Sequence, residues 1–405
     1  MKIFQVTHLF HPDQLAGAAL YTDLARYLRD CGHDVRISTT FPYYPELRFR
    51  PEDRGVWCRE ERFEGIPVRR IGMWLPQPHK GWRRLIPEVT YLGNLSLCGK
   101  FAGWRPDVVV TACPMLAQVT WQHWLYVGRR IPRLVIVQDA MAHAASELGI
   151  IRTPVLRSAL HRLERWSLNS ATTISTISEG MRERVESITA GRRSCVVIPN
   201  WIHHSLAETI AKKRERKDMR AKNRLFYSGN FGVKQGLPGF LRDLKEVRGE
   251  WKISVHGGGA EADVLSKETQ GWGEWLRIGP LQEEPAYVGS LLTATACVVT
   301  QTPGVGANFL PSKLLPALAT GTPVLAICDA HSPLGEEVLS GGFGAVVSPG
   351  DKLGLAALLQ RWCDDPRLIV DLGQRAQQRA ELYTRERSCG AYEDLLIQMT
   401  EATRR

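Results

Sequence analysis

Residues 2–41 read KIFQVTHLFHPDQLAGAALYTDLARYLRDCGHDVRISTTF, and they decide the fold of the N-terminal half. The stretch begins with an apolar run typical of a β-strand and ends with a second one, DVRISTTF. Between the two runs, Leu20, Leu24 and Leu28 recur at the spacing of one helix face, and Gly32 follows as a C-terminal cap. This order of strand, helix and strand predicts a parallel βαβ unit.

The same alternation continues along the chain and then restarts. Further strands are predicted at PVRRIGMWL, DVVVTAC, RLVIVQD, ATTISTIS and SCVVIPN, and a charge-dense connection follows at 203–222. A second series begins at RLFYSGN. We therefore predict an α/β protein with two doubly wound Rossmann-like domains that face each other across a crevice. The domains are predicted at residues 1–205 and 206–385, with a last helix at about 386–405 packing back on the first domain.

Composition is ordinary for a globular protein, with 44% hydrophobic and 23% charged residues among 405. The nine cysteines are scattered and form no Cys-x-x-Cys pair, which argues against a disulfide framework and a zinc site and fits a reducing cytosol. The N-terminus lacks a secretory signal, and no apolar run reaches membrane-spanning length. A cytoplasmic protein is the expectation.

The formal charge of +10 lies mostly in the first half of the chain. Such a surface suits nucleic acid, an anionic membrane or a phosphorylated substrate, or is simply solvated. Nucleic acid is disfavoured because no nucleic-acid-binding motif accompanies the charge. The segment 80–107 mixes arginines and lysine with tryptophan and leucine, which suits either an interfacial helix on anionic lipid or a core-packed helix with a basic rim.

Glycine-containing turns follow four predicted strands. Gly17 opens the first helix, where a glycine lets backbone amides approach an anion, although most such glycines are only turns. The turn at 227–236, YSGNFGVKQG, also contains Lys234, which is either a diphosphate ligand or a solvated loop lysine. The turns HGGGAE at 256–261 and IGPLQ at 278–282 either read a nucleobase through the backbone or serve as plain turns.

The segment FLPSKLLPALATGTPV, residues 309–324, predicts a short helix followed by a buried strand. Ser312 is predicted as its N-cap, and Lys313 adds a cation at the positive end of the helix, which together resemble a phosphate cradle. Pro316 would then be the fourth helical residue, so we expect a loosened first turn. The two lysines 234 and 313 predict a metal-free diphosphate site.

In the N-terminal half, Asp139 ends a buried strand and is a candidate catalytic group, with capping of the next helix as the alternative. His143 lies four residues on and could share its face. A lone histidine is more often structural than functional. The same alternative applies to two further candidates, His8 at the end of the first strand and His11, of which His8 is the better placed.

These motifs together resemble the family 4 glycosyltransferases of the two-Rossmann-domain, or GT-B, type. Within that family the chain looks most like the colanic-acid and exopolysaccharide enzymes. The resemblance covers nearly the whole length and rests on the opening stretch through PYYP, on VIVQDA, STISEGM, VVIPNW, LFYSGNFGVKQGL and VHGGGAE, and on LPSKLLPALATGTPV.

The resemblance implies a retaining, metal-independent transfer of a hexosyl or N-acetylhexosaminyl group from a nucleotide-diphosphate sugar, a UDP-sugar rather than a GDP-sugar, with no further cofactor. The acceptor would be a glycan, a lipid-linked glycan or another glycoside precursor, and the enzyme would lie in the cytoplasm, in peripheral contact with an anionic membrane. The implied catalytic residues are Asp139 and Lys234. The implied donor-binding residues are Gly17, Gly229, Asn230, Lys234, Gly258, Pro280, Ser312, Lys313 and Glu336, and the acceptor-side residues are His8, His11, Tyr43, Tyr44 and His143.

The chain departs from the family pattern at a pair of glutamates, whose positions are occupied by Asn308 and Pro316. Two other functions therefore stay open at this point. One is a non-catalytic nucleotide-sugar-binding homologue or partner subunit, and the other is a sugar-nucleotide epimerase of the same fold.

Overall fold

The computed structural model describes residues 1–405 apart from positions 14, 45, 78–82, 84, 114, 127, 139–153, 215–220, 304–309 and 405, and for 154–156 it describes the backbone. The chain divides into two compact units. The first contains Met1–Asn200 and Glu386–Arg405, and the second contains Trp201–Arg385.

Within the described part of the first unit, eight strands form one sheet in the order β3-β4-β2-β1-β5-β6-β7-β8. Neighbouring strands are parallel except for the antiparallel pair β3 and β4. The strands are β1 Lys2–Val6, β2 Asp34–Thr40, β3 Cys58–Phe63, β4 Ile66–Ile71, β5 Val108–Cys113, β6 Arg133–Val137, β7 Thr173–Thr176 and β8 Ser194–Val197.

Helices cover the sheet, as the apolar spacing in the sequence requires. They are α1 Ala16–Asp30, α2 Ile86–Cys98, α3 Leu116–Tyr126, α4 Pro154–Asn169 and α5 Glu179–Thr189, together with the final helix of the chain, α14 Arg385–Arg404. Helix α14 contacts the first unit through the Nε2 of His33, which lies 2.9 Å from the Oε1 of Glu393. Tyr392 and Leu396 of α14 are buried.

Strand β3 is missing from the predicted set. Its sequence, CREERF, has four consecutive charged residues and no alternation of apolar and polar side chains. It is the outermost strand of the sheet, and charged side chains are a usual way to protect such an edge from further pairing. The antiparallel turn at Glu64 and Gly65 has positive φ angles of 49° and 86°.

In the described part of the second unit, six parallel strands form a sheet in the order β11-β10-β9-β12-β13-β14. They are β9 Arg224–Asn230, β10 Lys252–Gly258, β11 Leu276–Gly279, β12 Ala296–Thr300, β13 Val324–Ile327 and β14 Gly344–Val347. The helices are α6 His204–Arg214, α7 Leu237–Val247, α8 Ala262–Glu268, α9 Glu284–Thr293, α10 Leu314–Thr320, α11 Pro333–Gly341, α12 Lys352–Asp364 and α13 Pro366–Ala380.

The fold prediction is confirmed, because both units are doubly wound, Rossmann-like α/β structures. Along the chain, the first unit gives way to the second between Asn200 and Trp201. The predicted boundary after residue 205 falls inside α6. That helix belongs to the second unit because its Leu206 and Ile210 pack against Val288. Among the described residues, no helix is long and apolar enough to cross a membrane.

Strand order reverses at β1 in the first sheet and at β9 in the second. Loops leaving the carboxyl ends of strands on either side of such a reversal diverge to opposite faces and leave room for a ligand. In the second unit this position lies between the ends of β9 and β12, close to the glycine-rich loops predicted from the sequence.

We expect Leu396→Ala to lower the free energy of unfolding of the first unit by about 2–5 kcal/mol, because it removes a fully buried side chain of α14. The matched control is Leu353→Ala, since the Leu353 side chain is 85% exposed and its loss should change stability by less than about 0.5 kcal/mol. Urea unfolding followed by circular dichroism measures both. Equal stability losses in the two variants would contradict the docking of α14.

Candidate active site

His8 lies two residues beyond the end of β1 and is buried. Burial lowers the pKa of its imidazole to about 4, because a charged ring would lose its hydration, so the ring is neutral at pH 7. Its Nδ1 lies 3.5 Å from the Nε2 of Gln118, and its carbonyl accepts a hydrogen bond of 2.8 Å from Thr40. His8 is therefore positioned to accept or donate a hydrogen bond rather than to supply positive charge.

Asp13, which was not predicted as a site residue, holds two of the residues predicted on the acceptor side. Its Oδ1 accepts hydrogen bonds of 3.0 Å from the backbone amides of both Tyr43 and Tyr44. Burial raises the pKa of the Asp13 carboxyl. The structure thus fixes Tyr43 and Tyr44 on one carboxylate. The His11 ring instead packs on Phe63, with centroids 4.7 Å apart. No local sequence pattern pairs residues thirty positions apart.

Glu88 is a second carboxyl group that the sequence did not single out. It lies in the first turn of α2, and its Oε2 accepts a 2.8 Å hydrogen bond from the amide of Ala117 in the first turn of α3. Burial raises the pKa of Glu88 to about 7 despite this bond. The group fixes the start of α3 beside the carboxyl end of β5.

The end of β6 is held by a reciprocal pair of amides. Gln138 donates from Nε2 to the Oδ1 of Asn200 at 2.8 Å, and Asn200 donates from Nδ2 to the Oε1 of Gln138 at 2.9 Å. The pair joins the exit of β6 to the exit of β8. The predicted catalytic Asp139 and the acceptor-side His143 lie outside the described residues, as does Asn308.

Gly17 is the second residue of α1. Leu15, at the N-cap position of this helix, makes no side-chain cap hydrogen bond, and the first turn contains no acidic residue. A Cβ at Gly17 would meet the Cδ1 of Leu9 at 3.3 Å, so a side chain here would be crowded. These features keep the start of α1 positive and open.

Three glycines let the exits of β9 and β10 approach each other. Gly229, Gly257 and Gly259 have φ angles of 144°, 157° and 148°, which side chains rarely tolerate. A Cβ at Gly257 would lie 1.9 Å from the carbonyl oxygen of Gly229, and one at Gly259 would meet the side chain of Asn230. By contrast, nothing lies within 4 Å of a Cβ built at Gly258, the glycine predicted as a site residue.

Lys313 is the centre of the candidate site in the second unit. Its Nζ lies 3.9 Å from the centroid of the Tyr227 ring and is buried without a hydrogen-bond partner among the described residues. A Cβ at Gly229 would lie only 3.1 Å from this Nζ. Burial lowers the pKa of Lys313 to about 8. A cation–π contact contributes roughly 0.5–2 kcal/mol, less than the several kcal/mol lost on removing an ammonium from water.

The predicted N-cap is wrong. Helix α10 begins at Leu314, Lys313 occupies the cap position, and Ser312 is exposed without capping the helix. Pro316 is consequently the third helical residue, where the amide has no partner within a helix. The expected loosening of the first turn is therefore also wrong, because the missing N–H of proline removes no hydrogen bond at this position.

Lys234 lies in a single 3₁₀ turn, Val233–Gln235, directly after β9. Its backbone carbonyl accepts hydrogen bonds from the amide of Thr302 at 3.0 Å and from the hydroxyl of Thr302 at 3.2 Å. These bonds tie the loop after β9 to the loop after β12. Lys234 and Lys313 thus belong to loops from neighbouring strands, as the sequence predicted.

Two further polar groups at this edge were not predicted. Gln301 follows β12 and is 7% exposed, and neither its Oε1 nor its Nε2 has a hydrogen-bond partner among the described residues. The Oε2 of Glu261, at the exit of β10, is also buried without one. Buried polar groups are almost always paired, so unpaired ones at one edge of a sheet indicate a ligand site. Gln301 leaves a weak sequence signal, namely a glutamine directly after the mostly apolar strand ACVVT.

The remaining predicted donor residues lie at the same edge or on a neighbouring helix. The carbonyl of Pro280 lies 3.2 Å from the Nδ1 of His256. Glu336 is exposed in the first turn of α11, whose N-cap Ser332 accepts from Gly335. The adjacent Glu337, in contrast, is paired with Arg379. Among the described residues, no cluster of three or more His, Cys, Asp and Glu could hold a metal ion.

Comparison with known proteins agrees with this architecture. Residues 16–201 match the glycosyl transferase 4-like domain. Among solved structures, sucrose-phosphate synthase from Thermosynechococcus elongatus has a TM-score of 0.74 at 17% identity, covering 99% of this chain and all of that one. The UDP complex of Anabaena Alr3699/HepE has a TM-score of 0.67 at 15% identity, covering 98% of this chain and all of that one. The chain thus contains a glycosyl transferase 4-like domain and has the fold of the GT-B glycosyltransferases.

One relative in sequence is described as a colanic-acid enzyme. The chain is 27% identical over 354 residues to the putative colanic acid biosynthesis glycosyl transferase WcaI of Escherichia coli (strain K12). The match covers 83% of this chain and 85% of that protein. The resemblance to family 4 glycosyltransferases of the colanic-acid type is confirmed.

We expect Lys313→Met to stabilise the protein by up to about 3 kcal/mol at pH 7, and the gain to disappear as the pH rises from about 8 to 10.5. The folded state holds the Lys313 proton less tightly than the unfolded chain does, so wild-type stability rises with pH across that window. Urea unfolding of both proteins across the pH range gives the difference.

The matched control is Lys252→Met, which changes an exposed lysine of β10 and should give a difference that is small at every pH. A pH-independent difference for Lys313→Met would show that Lys313 is fully charged and hydrated in the folded state.

Proposed function

We propose that this nucleotide-sugar glycosyltransferase transfers a hexosyl or N-acetylhexosaminyl group, with retention and without a metal ion, from a UDP-sugar. The acceptor is a glycan, a lipid-linked glycan or another glycoside precursor. The reaction takes place in the cytoplasm, with the enzyme in peripheral contact with a membrane. Support comes from the glycosyl transferase 4-like domain, from the relative WcaI and from the UDP and UDP-glucose complexes of Alr3699/HepE.

One observation carries the proposal, namely the buried ammonium group of Lys313 beside the backbone of Gly229. A leaving nucleoside diphosphate accumulates negative charge in the transition state, and a fixed cation in a site of low polarity stabilises that charge strongly. Because Lys313 has no hydrogen-bond acceptor among the described residues, a phosphate oxygen would supply one. The ligand therefore gains more from Lys313 than it would from a hydrated surface lysine.

The surrounding groups suit the same ligand. Gly229 exposes backbone next to the Lys313 ammonium, and its φ of 144° excludes a side chain there. Lys234 is held on the adjacent loop by Thr302 and is assigned to the same diphosphate. Gln301 offers an NH2 group with two donors and a carbonyl acceptor, which fits a sugar hydroxyl or a phosphate oxygen.

The polar groups of the first unit suit the acceptor and the transferred sugar. His8 is neutral at pH 7 and can hydrogen-bond a hydroxyl group without attracting a second anion. The turn that contains Tyr43 and Tyr44 is fixed by Asp13, so these side chains start from a rigid backbone. The catalytic role of Asp139 stays a prediction from the family resemblance.

UDP is expected to raise the melting temperature of the wild-type protein, since a ligand at 100 times its dissociation constant stabilises the folded state by about 2.7 kcal/mol. Binding at pH 8 should also take up protons, because a phosphate next to Lys313 raises its lowered pKa. Calorimetry in two buffers of different ionisation enthalpy measures this uptake.

The control for that measurement is Lys313→Met, which should bind UDP more weakly and take up fewer protons at pH 8. If proton uptake were the same in the variant and in the wild-type protein, Lys313 would not be a ligand of the diphosphate.

Lys313→Ala and Lys234→Ala are each expected to lower kcat/KM for sugar transfer. The loss of transition-state stabilisation should be roughly 2–4 kcal/mol, the scale of losing one electrostatic donor. Lys252→Ala removes an exposed lysine of the same unit and should leave the rate unchanged. Transfer from radiolabelled UDP-sugars to a panel of lipid-linked and free glycans supplies the rates. If both lysine variants kept wild-type rates, the assigned donor site would be wrong.

The same assay separates the proposal from a non-catalytic nucleotide-sugar binder. Pro316 places no carboxylate on α10 where relatives have a glutamate, which is the observation in favour of the binder. UDP binding without transfer to any acceptor, and without hydrolysis of the donor, would support the binder and overturn the enzyme.

A further inference from the structure

Large apolar side chains are exposed on one layer of the first unit. Among the described residues of that unit, the exposed ones are Trp57, Trp74, Val89, Leu97, Trp124 and Trp166, together with Leu163. Val89 and Leu97 belong to α2, Trp124 to α3, and Leu163 and Trp166 to α4. Exposed fractions of 69% for Val89 and 77% for Leu97 show that these side chains are not part of the core.

The two tryptophans outside the helices lie against α2. The backbone amide of Trp74 donates a 2.9 Å hydrogen bond to the hydroxyl of Thr90, next to Val89. Trp57 is paired through its carbonyl with the amide of Gly72, and the carbonyl of Gly72 accepts from Asn94 of α2. The backbones of both tryptophans are therefore joined to α2, directly for Trp74 and through Gly72 for Trp57.

Helix α3 packs between α2 and α4 and extends the same layer. The Trp124 ring of α3 lies 5.9 Å from the Trp166 ring of α4, measured between centroids. His123 packs edge-on against Trp166 at 4.6 Å. We name the surface formed by α2, α3, α4, Trp57 and Trp74 the aromatic face.

The aromatic face is also basic. Arg157, Arg162 and Arg165 are exposed along α4, whereas Glu164, the acidic residue of that helix, is buried. Exposed Arg129 and Arg130 follow α3, and exposed Lys100 follows α2. The acidic residue of α2, Glu88, is directed at the amide of Ala117 instead of the surface.

Other surfaces lack this combination. No described residue of α1 or α14 exposes a large apolar side chain. In the second unit the exposed large apolar residues that the structure describes are aliphatic, without any tryptophan. Four exposed tryptophans on one layer are thus a local property, which scattered surface hydrophobicity does not explain.

We propose that the aromatic face is the surface by which the protein docks on an anionic lipid bilayer. Tryptophan rings favour the boundary between headgroups and acyl chains, where one part of the ring is apolar and the N–H is hydrated. Arginines beside them are attracted to anionic headgroups and add about 1 kcal/mol each near the surface. The proposal rests on the membrane contact that is part of the proposed function and names the surface that makes it. Its test does not depend on the donor site in the second unit.

Co-sedimentation with vesicles of phosphatidylcholine and phosphatidylglycerol in equal amounts, at low salt, tests the proposal. The wild-type protein should bind these vesicles, and binding should fall at high salt and with phosphatidylcholine alone. The triple variant Arg157→Gln, Arg162→Gln and Arg165→Gln should partition on the order of a hundredfold more weakly. The double variant Trp124→Ser and Trp166→Ser should lose at least tenfold in binding.

The matched charge control is Arg361→Gln, Arg367→Gln and Arg375→Gln, which removes three exposed arginines of the second unit and should bind as the wild-type protein does. An unchanged circular-dichroism spectrum and melting temperature show that each variant is folded, and a UDP thermal shift reports on the donor site separately. Failure of the wild-type protein to bind anionic vesicles would overturn the proposal, as would equal losses in the two arginine triples. A concentration-dependent dimer that the tryptophan variant abolishes, without vesicle binding, would identify a second copy as the occupant and also overturn it.

Discussion

The candidate site depends on a lysine whose ammonium group is buried. The ammonium of Lys313 lies over the Tyr227 ring and against the backbone of Gly229, with no hydrogen-bond acceptor among the described residues. The aromatic ring compensates only part of the lost hydration. The uncompensated loss of hydration lowers the pKa of Lys313 to about 8, which still leaves the lysine mostly protonated at neutral pH.

This arrangement constrains the strand ends around it. A side chain at position 229 would meet the ammonium group, and one at 257 would meet the carbonyl of Gly229, so the turns that leave β9 and β10 must be glycine-rich. The glycines in YSGN and HGGG therefore serve close packing as much as the approach of a ligand. Gly258 differs from its neighbours because the space beside it is open, which leaves its backbone accessible.

The architecture could be predicted from the sequence because apolar residues recur with the period of helices and buried strands. Strand β3 escaped prediction because CREERF follows neither period, and its place in the sheet depends on pairing with β4. The loops with Lys234 and Lys313 could be located from glycines and strand ends. Asp13 and the Gln138–Asn200 pair could not, since each joins positions 30 or more residues apart. The predicted start of α10 was one residue too early. Because of that shift, Pro316 was expected to remove a helical hydrogen bond, whereas at its actual position it removes none.

Pro316 also bears on why the lysine is retained. As third helical residue it leaves α10 intact, so the segment after Lys313 stays rigid although the family glutamate is missing. A methionine at 313 would fill similar space without the penalty of a buried charge, and proteins commonly accept lower stability where a strained group serves binding. An ammonium group kept at a net penalty against the backbone of Gly229 is best explained by an anionic ligand that offsets its desolvation.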